Sequence, residues 1–189
     1  MKRLFLLLWI AGLLSTLPAA EVDPREGAGG IIPGKEFSYA IGAPKGWIFD
    51  AELAPYIGVN VVIYPVGTTL SKAPAWIIAN SFSLQGKIIS QWIKDDITKL
   101  ETDFPGIKVS NHKNLITADS LYAIVKSIAP GKSSYELYER SAYIKIANRV
   151  VVISLSSNNA KDYNKSIDAF EYVVSNFMRV TKDMVKEKK

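Results

Sequence analysis

Ile89, Ile93, Ile97, Leu100 and Phe104 recur at steps of four, four, three and four. That spacing marks one face of an α-helix, and Lys94, Asp95, Lys99 and Glu101 fall off the apolar stripe. Pro105-Gly106 stops it. A second stripe, Tyr163, Ile167, Phe170, Val174 and Phe177, predicts another amphipathic helix, capped by Asn158 or Asn159. Between and before the helices lie strand-like runs: FSYAI from Phe37, VNVVIY from Val59, AWIIANSF from Ala75, IKVSNHKNL from Ile107, SLYAIVKSIA from Ser120, YELYERSAYIKI from Tyr135 and RVVVISLSS from Arg149. The last four have turn signals between them and no room for crossover helices, so they pair antiparallel. The run from Tyr135 to Ile146 is long for one strand, which predicts a bulge or bend within it.

VNVVIY and RVVVISL are apolar at both alternating sets of positions. A sheet with one wet face would alternate apolar with polar, so this sheet is covered on both sides. Two long helices are available as covers. The expected fold class is α+β, an α/β/α three-layer sandwich around a mostly antiparallel sheet with helices on both faces.

Composition adds an address. The first twenty residues, MKRLFLLLWIAGLLSTLPAA, combine a basic start, a short apolar run and a small-residue exit. This is the pattern of a cleavable secretory signal peptide. The run is short for a bilayer span, which takes about 20 residues. The expected divisions are residues 1–20 signal peptide, 21–36 a Gly- and Pro-rich flexible leader, 37–181 one domain, and 182–189 a charged tail. Cleavage near Ala20 would place the protein in the periplasm or outside the cell, with no stable membrane insertion afterwards. Removing Lys2 and Arg3 takes the net charge from +5 to +3, and the tail KDMVKEKK carries much of the rest. No nucleic-acid footprint remains. The chain has no cysteine, so disulfides and a lipid-modified cysteine are excluded.

Candidate chemistry is sparse. Gly131-Lys132-Ser133 ends like a phosphate-binding loop, but Lys126 stands where its first glycine is required, and Pro130 removes a backbone donor. It reads as a turn between strands. His112 is the only histidine, set between Asn111 and Lys113 on an edge strand, and reads as a solvated surface residue. Asp95, Asp96, Glu101 and Asp103 read as a solvated helix face rather than a metal site. No metal site or cofactor is expected. The aromatic residues Trp47, Tyr64, Trp76 and Tyr122, with Asp50, are the candidates for ligand or partner binding. They either form a pocket or partner surface, or are core and corner packing. The segments holding Trp47 and Tyr64 should lie together if their strands pair.

APKGWIFD, followed by a strand ending in Tyr64-Pro65 and a Gly-Thr loop, resembles the PsbP-like and DcrB-like superfamily of exported proteins. The resemblance follows the order of elements over residues 37–180 and rests on the Gly46-Trp47 and Tyr64-Pro65 neighbourhoods. It implies an α/β/α sandwich with a non-catalytic binding or accessory role, and it supplies no catalytic residue. The expected function is an exported, non-enzymatic domain that binds a protein or envelope component. The alternatives are a small-molecule carrier with an aromatic-lined pocket, favoured by a cavity lined by Trp47, Tyr64 or Trp76, and a hydrolase using an unrecognised acid pair or His112. Protein recovered from the periplasm is expected to begin at or next to Glu21. Intact mass decides this, and a mass retaining residues 1–20 contradicts cleavage.

Overall fold

A computed structural model of the chain describes residues 23–181 apart from Lys35 and Ser133; the signal-like segment and the charged tail lie outside the described residues. The elements in chain order are β1 (Gly29–Ile32), β2 (Ser38–Gly42), β3 (Trp47–Phe49), β4 (Val61–Pro65), β5 (Trp76–Ser83), α1 (Ile89–Asp103), β6 (Lys108–Asn111), β7 (Leu115–Ile116), β8 (Tyr122–Ala129), β9 (Tyr138–Ile146), β10 (Arg149–Ser157), α2 (Ala160–Lys165), α3 (Ile167–Ser175) and β11 (Met178–Val180). Single 3-10 turns occupy Ala54–Ile57 and Leu70–Lys72. The main sheet runs β3-β4-β5-β10-β9-β8-β6, with β7 also beside β8, and β1-β2-β11 form a smaller sheet. The pairings among the described strands are antiparallel. The fold class is therefore α+β with a mostly antiparallel sheet and three α-helices.

The central strands are apolar on both faces, as their sequences require. Ala142, Ile144, Val151, Ile153 and Leu155 share the largest core cluster with Phe170, Val173, Val174 and Phe177 from α3 and the chain after it. Tyr143 and Val150, one residue out of step, belong to another cluster with Leu84 and Ile93 of α1. Successive side chains of a strand point to opposite faces, so α3 and α1 meet opposite sides of β9 and β10. A third cluster, Ile48, Ala54, Val62, Tyr64 and Ala73, packs under the two 3-10 turns.

Several details differ from the pattern expected of the sequence. Gly29–Ile32 pairs with β2, within the stretch expected to be a flexible leader. Gly29 makes that approach possible: a Cβ there would stand 2.8 Å from the Ile41 carbonyl oxygen. The second helix divides at Ser166 into α2 and α3, while Asn159 caps it by accepting the Asp162 N–H at 2.9 Å. β9 starts at Tyr138 and keeps unbroken register with both neighbours, so it has no bulge. Gly131 and Lys132 lie in the connection between β8 and β9, and Lys132 donates its N–H to the Gly106 carbonyl at 3.2 Å. A strand leaves it, as the turn reading requires. A Cβ at Gly131 would fall 2.2 Å from the Gly106 oxygen, with φ at +59°, so glycine is demanded there by turn geometry.

The helices are seated unequally. α3 buries Ala169, Phe170, Val173 and Val174, whereas α1 buries Ile93 alone. Phe170→Ala is expected to cost about 3–5 kcal/mol, a large part of a usual stability of about 5–15 kcal/mol. Ile97→Ala on half-buried α1 should cost less than half as much. Thermal unfolding compares them, and equal falls in Tm contradict the unequal seating.

Candidate functional site

β3 pairs with β4 so that Trp47 faces Pro65, Ile48 faces Tyr64 and Phe49 faces Ile63. The two loop-rich segments do lie together, closed by Val66 N–H donating to the Gly46 carbonyl at 2.9 Å. Asp50, just beyond β3, is 6% exposed. Its Oδ2 accepts the Tyr64 hydroxyl at 2.7 Å and Arg25 Nη1 at 2.9 Å, and its Oδ1 accepts the Leu53 N–H at 2.9 Å. Burial, then the bond to Asp50, pushes the Tyr64 hydroxyl above its ordinary pKa. A carboxylate with three donors is a satisfied staple, tying the segment around Arg25 to this corner.

The five sequence candidates do not converge. Asp50 and Tyr64 touch, and Trp76 packs against the cluster that holds Tyr64. Trp47 packs on the main core, on the opposite face of β3 from Ile48. Tyr122 is 71% exposed on β8, beyond β4, β5, β10 and β9 from the corner. Trp76 does line a hollow of about 430 Å³, together with Ile57, Val59 and Leu70.

A second cavity, of about 280 Å³, lies between α1 and the sheet. Its apolar walls include Ile78, Phe82, Trp92, Leu100 and Val152, and its polar groups include Asp96, Glu139, Ser141, Tyr143 and Ser154. Asp96 and Asp103 stand on an exposed helix face, as expected, and also border this cavity. Trp92, Asp96, Lys99 and Asp103 recur at helical spacing beside the Ile93 stripe, so this edge of α1 forms the open rim of the cavity. Glu139 comes from β9, where Glu139, Ser141 and Tyr143 share one face.

The carboxyls are held by hydroxyls. Tyr135 donates to Glu139 Oε2 at 2.8 Å and Ser141 to Oε1 at 2.6 Å, while Ser141 and Ser154 hydroxyls lie 2.7 Å apart. Tyr143 donates to Asp96 Oδ2 at 3.1 Å. Burial pushes the Glu139 carboxyl above its ordinary range; the two hydroxyls oppose this, and the charge of Asp96 adds to it. Burial likewise raises Asp96, against the Tyr143 bond and the charge of Lys99. Trp92 stands edge-on to Tyr143 at 6.2 Å and tilts against Phe82 at 5.7 Å, giving the cavity an aromatic wall. Low-dielectric walls and two carboxyls with raised pKa values suit a cationic or hydrogen-bonding group. Glu139 lies in the strand-like run from Tyr135 and gave no sequence signal. Among the described residues, no group of three or more His, Cys, Asp or Glu is placed to hold a metal ion.

The Glu139 shift has a definite sign. A carboxyl raised above its free value of 4.5 lends stability that is complete below that pH and is lost as pH rises through the folded value. Glu139→Gln removes this loss. Its Tm relative to the parent protein should therefore improve as pH rises from roughly 4 to 8. A difference that stays flat or falls contradicts the burial of this carboxyl.

No protein-family model matches the chain, and no curated protein matches its sequence. Solved structures do match its shape. The solution structure of cyanobacterial PsbP (CyanoP) from Synechocystis sp. PCC 6803 has a TM-score of 0.51 at 12% identity, covering 89% of this chain and 100% of that one. LpqN, described as involved in cell envelope biogenesis of Mycobacterium tuberculosis, has a TM-score of 0.50 at 14% identity, covering 82% of this chain and 91% of that one. The Saccharomyces cerevisiae Ran-binding protein Mog1p has a TM-score of 0.48 at 14% identity, with 84% and 99% covered. Identities this low speak for the fold alone. The chain has the PsbP-like fold.

Proposed function

We propose that this protein is a non-enzymatic binding or accessory domain exported to the bacterial cell envelope, and that the cavity under α1 receives a group of its partner or ligand. The reading takes residues 37–181 as one domain and its helices as the outer layers of an α/β/α sandwich. The signal-like start of the sequence supports export, and the envelope role printed for LpqN supports the compartment. The observation that carries the binding reading is the cavity itself, with aromatic walls and two carboxyls on facing elements. Its occupant is a cationic or hydrogen-bond-donating group, because the carboxyls of Asp96 and Glu139 accept hydrogen bonds beside an aromatic wall.

The acid pair also bears on the hydrolase alternative. Two carboxyls that divide acid and base duties have pKa values pushed apart by their surroundings. Asp96 and Glu139 are both pushed upward, with burial the largest cause for each. Shifts in a shared direction do not by themselves divide the pair into an acid and a base, and the hydrolase reading stays the alternative. The five sequence candidates then act elsewhere: Asp50 and Tyr64 as a structural staple, Trp47 as packing, Trp76 in the wall of the hollow that the carrier alternative would use, and Tyr122 as an exposed residue of β8.

Affinity capture from the native envelope tests this with the parent protein beside Glu139→Gln and Asp96→Asn. The expected result is partner recovery lowered about tenfold or more in both variants, which corresponds to about 1.4 kcal/mol. Recovery equal to the parent protein removes the cavity from the interface.

A further inference from the structure

Arg140 follows Glu139 on β9 and so faces the other side of the sheet, toward α2 and α3. Its side chain is 12% exposed. The guanidinium lies over the Tyr163 ring at 5.9 Å, and Nε donates to Ser127 Oγ at 3.3 Å. Ser127 is itself bonded to the Tyr163 hydroxyl at 2.9 Å. These contacts fix the plane of the guanidinium but leave its outer nitrogens poorly served. Nη1 stands 3.6 Å from Glu171 Oε1, beyond hydrogen-bond length, and Nη2 stands 3.5 Å from His112 Nδ1, at the outer limit. Glu171 is also 47% exposed, so it is a solvated and loose counter-charge. A nearly buried cation needs short acceptors, and among the described residues this one has none on the side that opens into a cavity.

That cavity measures about 500 Å³; Arg140, His112, Lys113, Asn114, Glu171 and Ser175 are its polar lining, and apolar residues complete its walls. Arg140 and Lys113 outweigh Glu171 in charge, and the amide, hydroxyl and imidazole can donate further hydrogen bonds. A planar guanidinium held by stacking is the donor best matched to a two-oxygen acceptor. We propose that this cavity is a second binding site, for a small oxyanion group, carboxylate or phosphate, held by Arg140 with His112 and Asn114 beside it. Glu171 is the intramolecular competitor that the ligand displaces.

His112 gives the site its own reporter, because it is the only histidine in the chain. Burial, then the charge of Arg140, lowers its pKa, while Glu171 raises it; Lys113 lines the same cavity. An oxyanion on Arg140 should raise that pKa. The experiment follows the His112 ring protons by NMR in the full mature chain, at constant ionic strength. Inorganic phosphate, succinate and phosphatidylglycerol vesicles are titrated separately. A saturable shift with phosphate or succinate places the ligand in solution; a shift with the vesicles alone places it on a lipid headgroup. Glu171→Gln should tighten binding severalfold, and Arg140→Gln should abolish it. Arg140→Lys, which keeps the charge without the planar fork, should weaken binding about tenfold and covers a failure of the glutamine variant to fold. No saturable shift with any of the three in the parent protein and in Glu171→Gln overturns the proposal, as does binding that survives both changes at Arg140.

Discussion

β9 and β10 must be kept from water on both faces, and the rest of the molecule is arranged around that demand. Ala142, Ile144, Val151 and Ile153 on one face, with Tyr143 and Val150 on the other, are all at or below 2% exposure. One covering is thorough: α3 and the chain leading into β11 bring Phe170, Val174 and Phe177, and β2 brings Tyr39 and Ile41. The other is partial. α1 offers Ile93 as its single buried residue, and it lies across a face that also carries Glu139, Ser141 and Ser154. Those polar groups cannot be sealed under an apolar helix without partners, so they bond to each other and to tyrosine hydroxyls, and space remains beneath the helix.

Consecutive residues of β9 therefore serve opposite cavities. Glu139 turns to the side of α1, where burial and Asp96 act on it, and Arg140 turns to the side of α3, where Tyr163 and Ser127 hold it. An acid-lined pocket and a base-lined pocket are thus separated by the thickness of one sheet. Both have fixed polar groups on rigid strands, which suits recognition.

What the sequence made legible follows from periodicity. The doubly apolar strands, the two helical stripes and the turn at Gly131 all depend on near neighbours, and each stands where its pattern puts it. The division of the last helix at Ser166 was hidden because the stripe from Tyr163 to Phe177 runs through it without a break in phase. The pairing of Gly29–Ile32 was hidden because an edge strand rich in glycine carries no alternation. The cavity under α1 was hidden for a stronger reason. It is assembled from β5, α1, β8, β9 and β10, whose mutual placement no local pattern fixes. Asp50 and Tyr64 were legible as residues of interest but not as a mutual hydrogen bond, since their partnership rests on the register of β3 against β4.

The central claim is that α1 is a lightly seated cover over a receiving cavity. Amide hydrogen exchange on the native protein measures this most directly, because local opening reports how firmly each element is held. The account predicts that β9, β10 and α3 exchange through global unfolding, while α1 exchanges through a smaller opening at least tenfold faster. Occupancy of the cavity should slow α1 specifically. Protection of α1 equal to that of α3 in the free protein would contradict it.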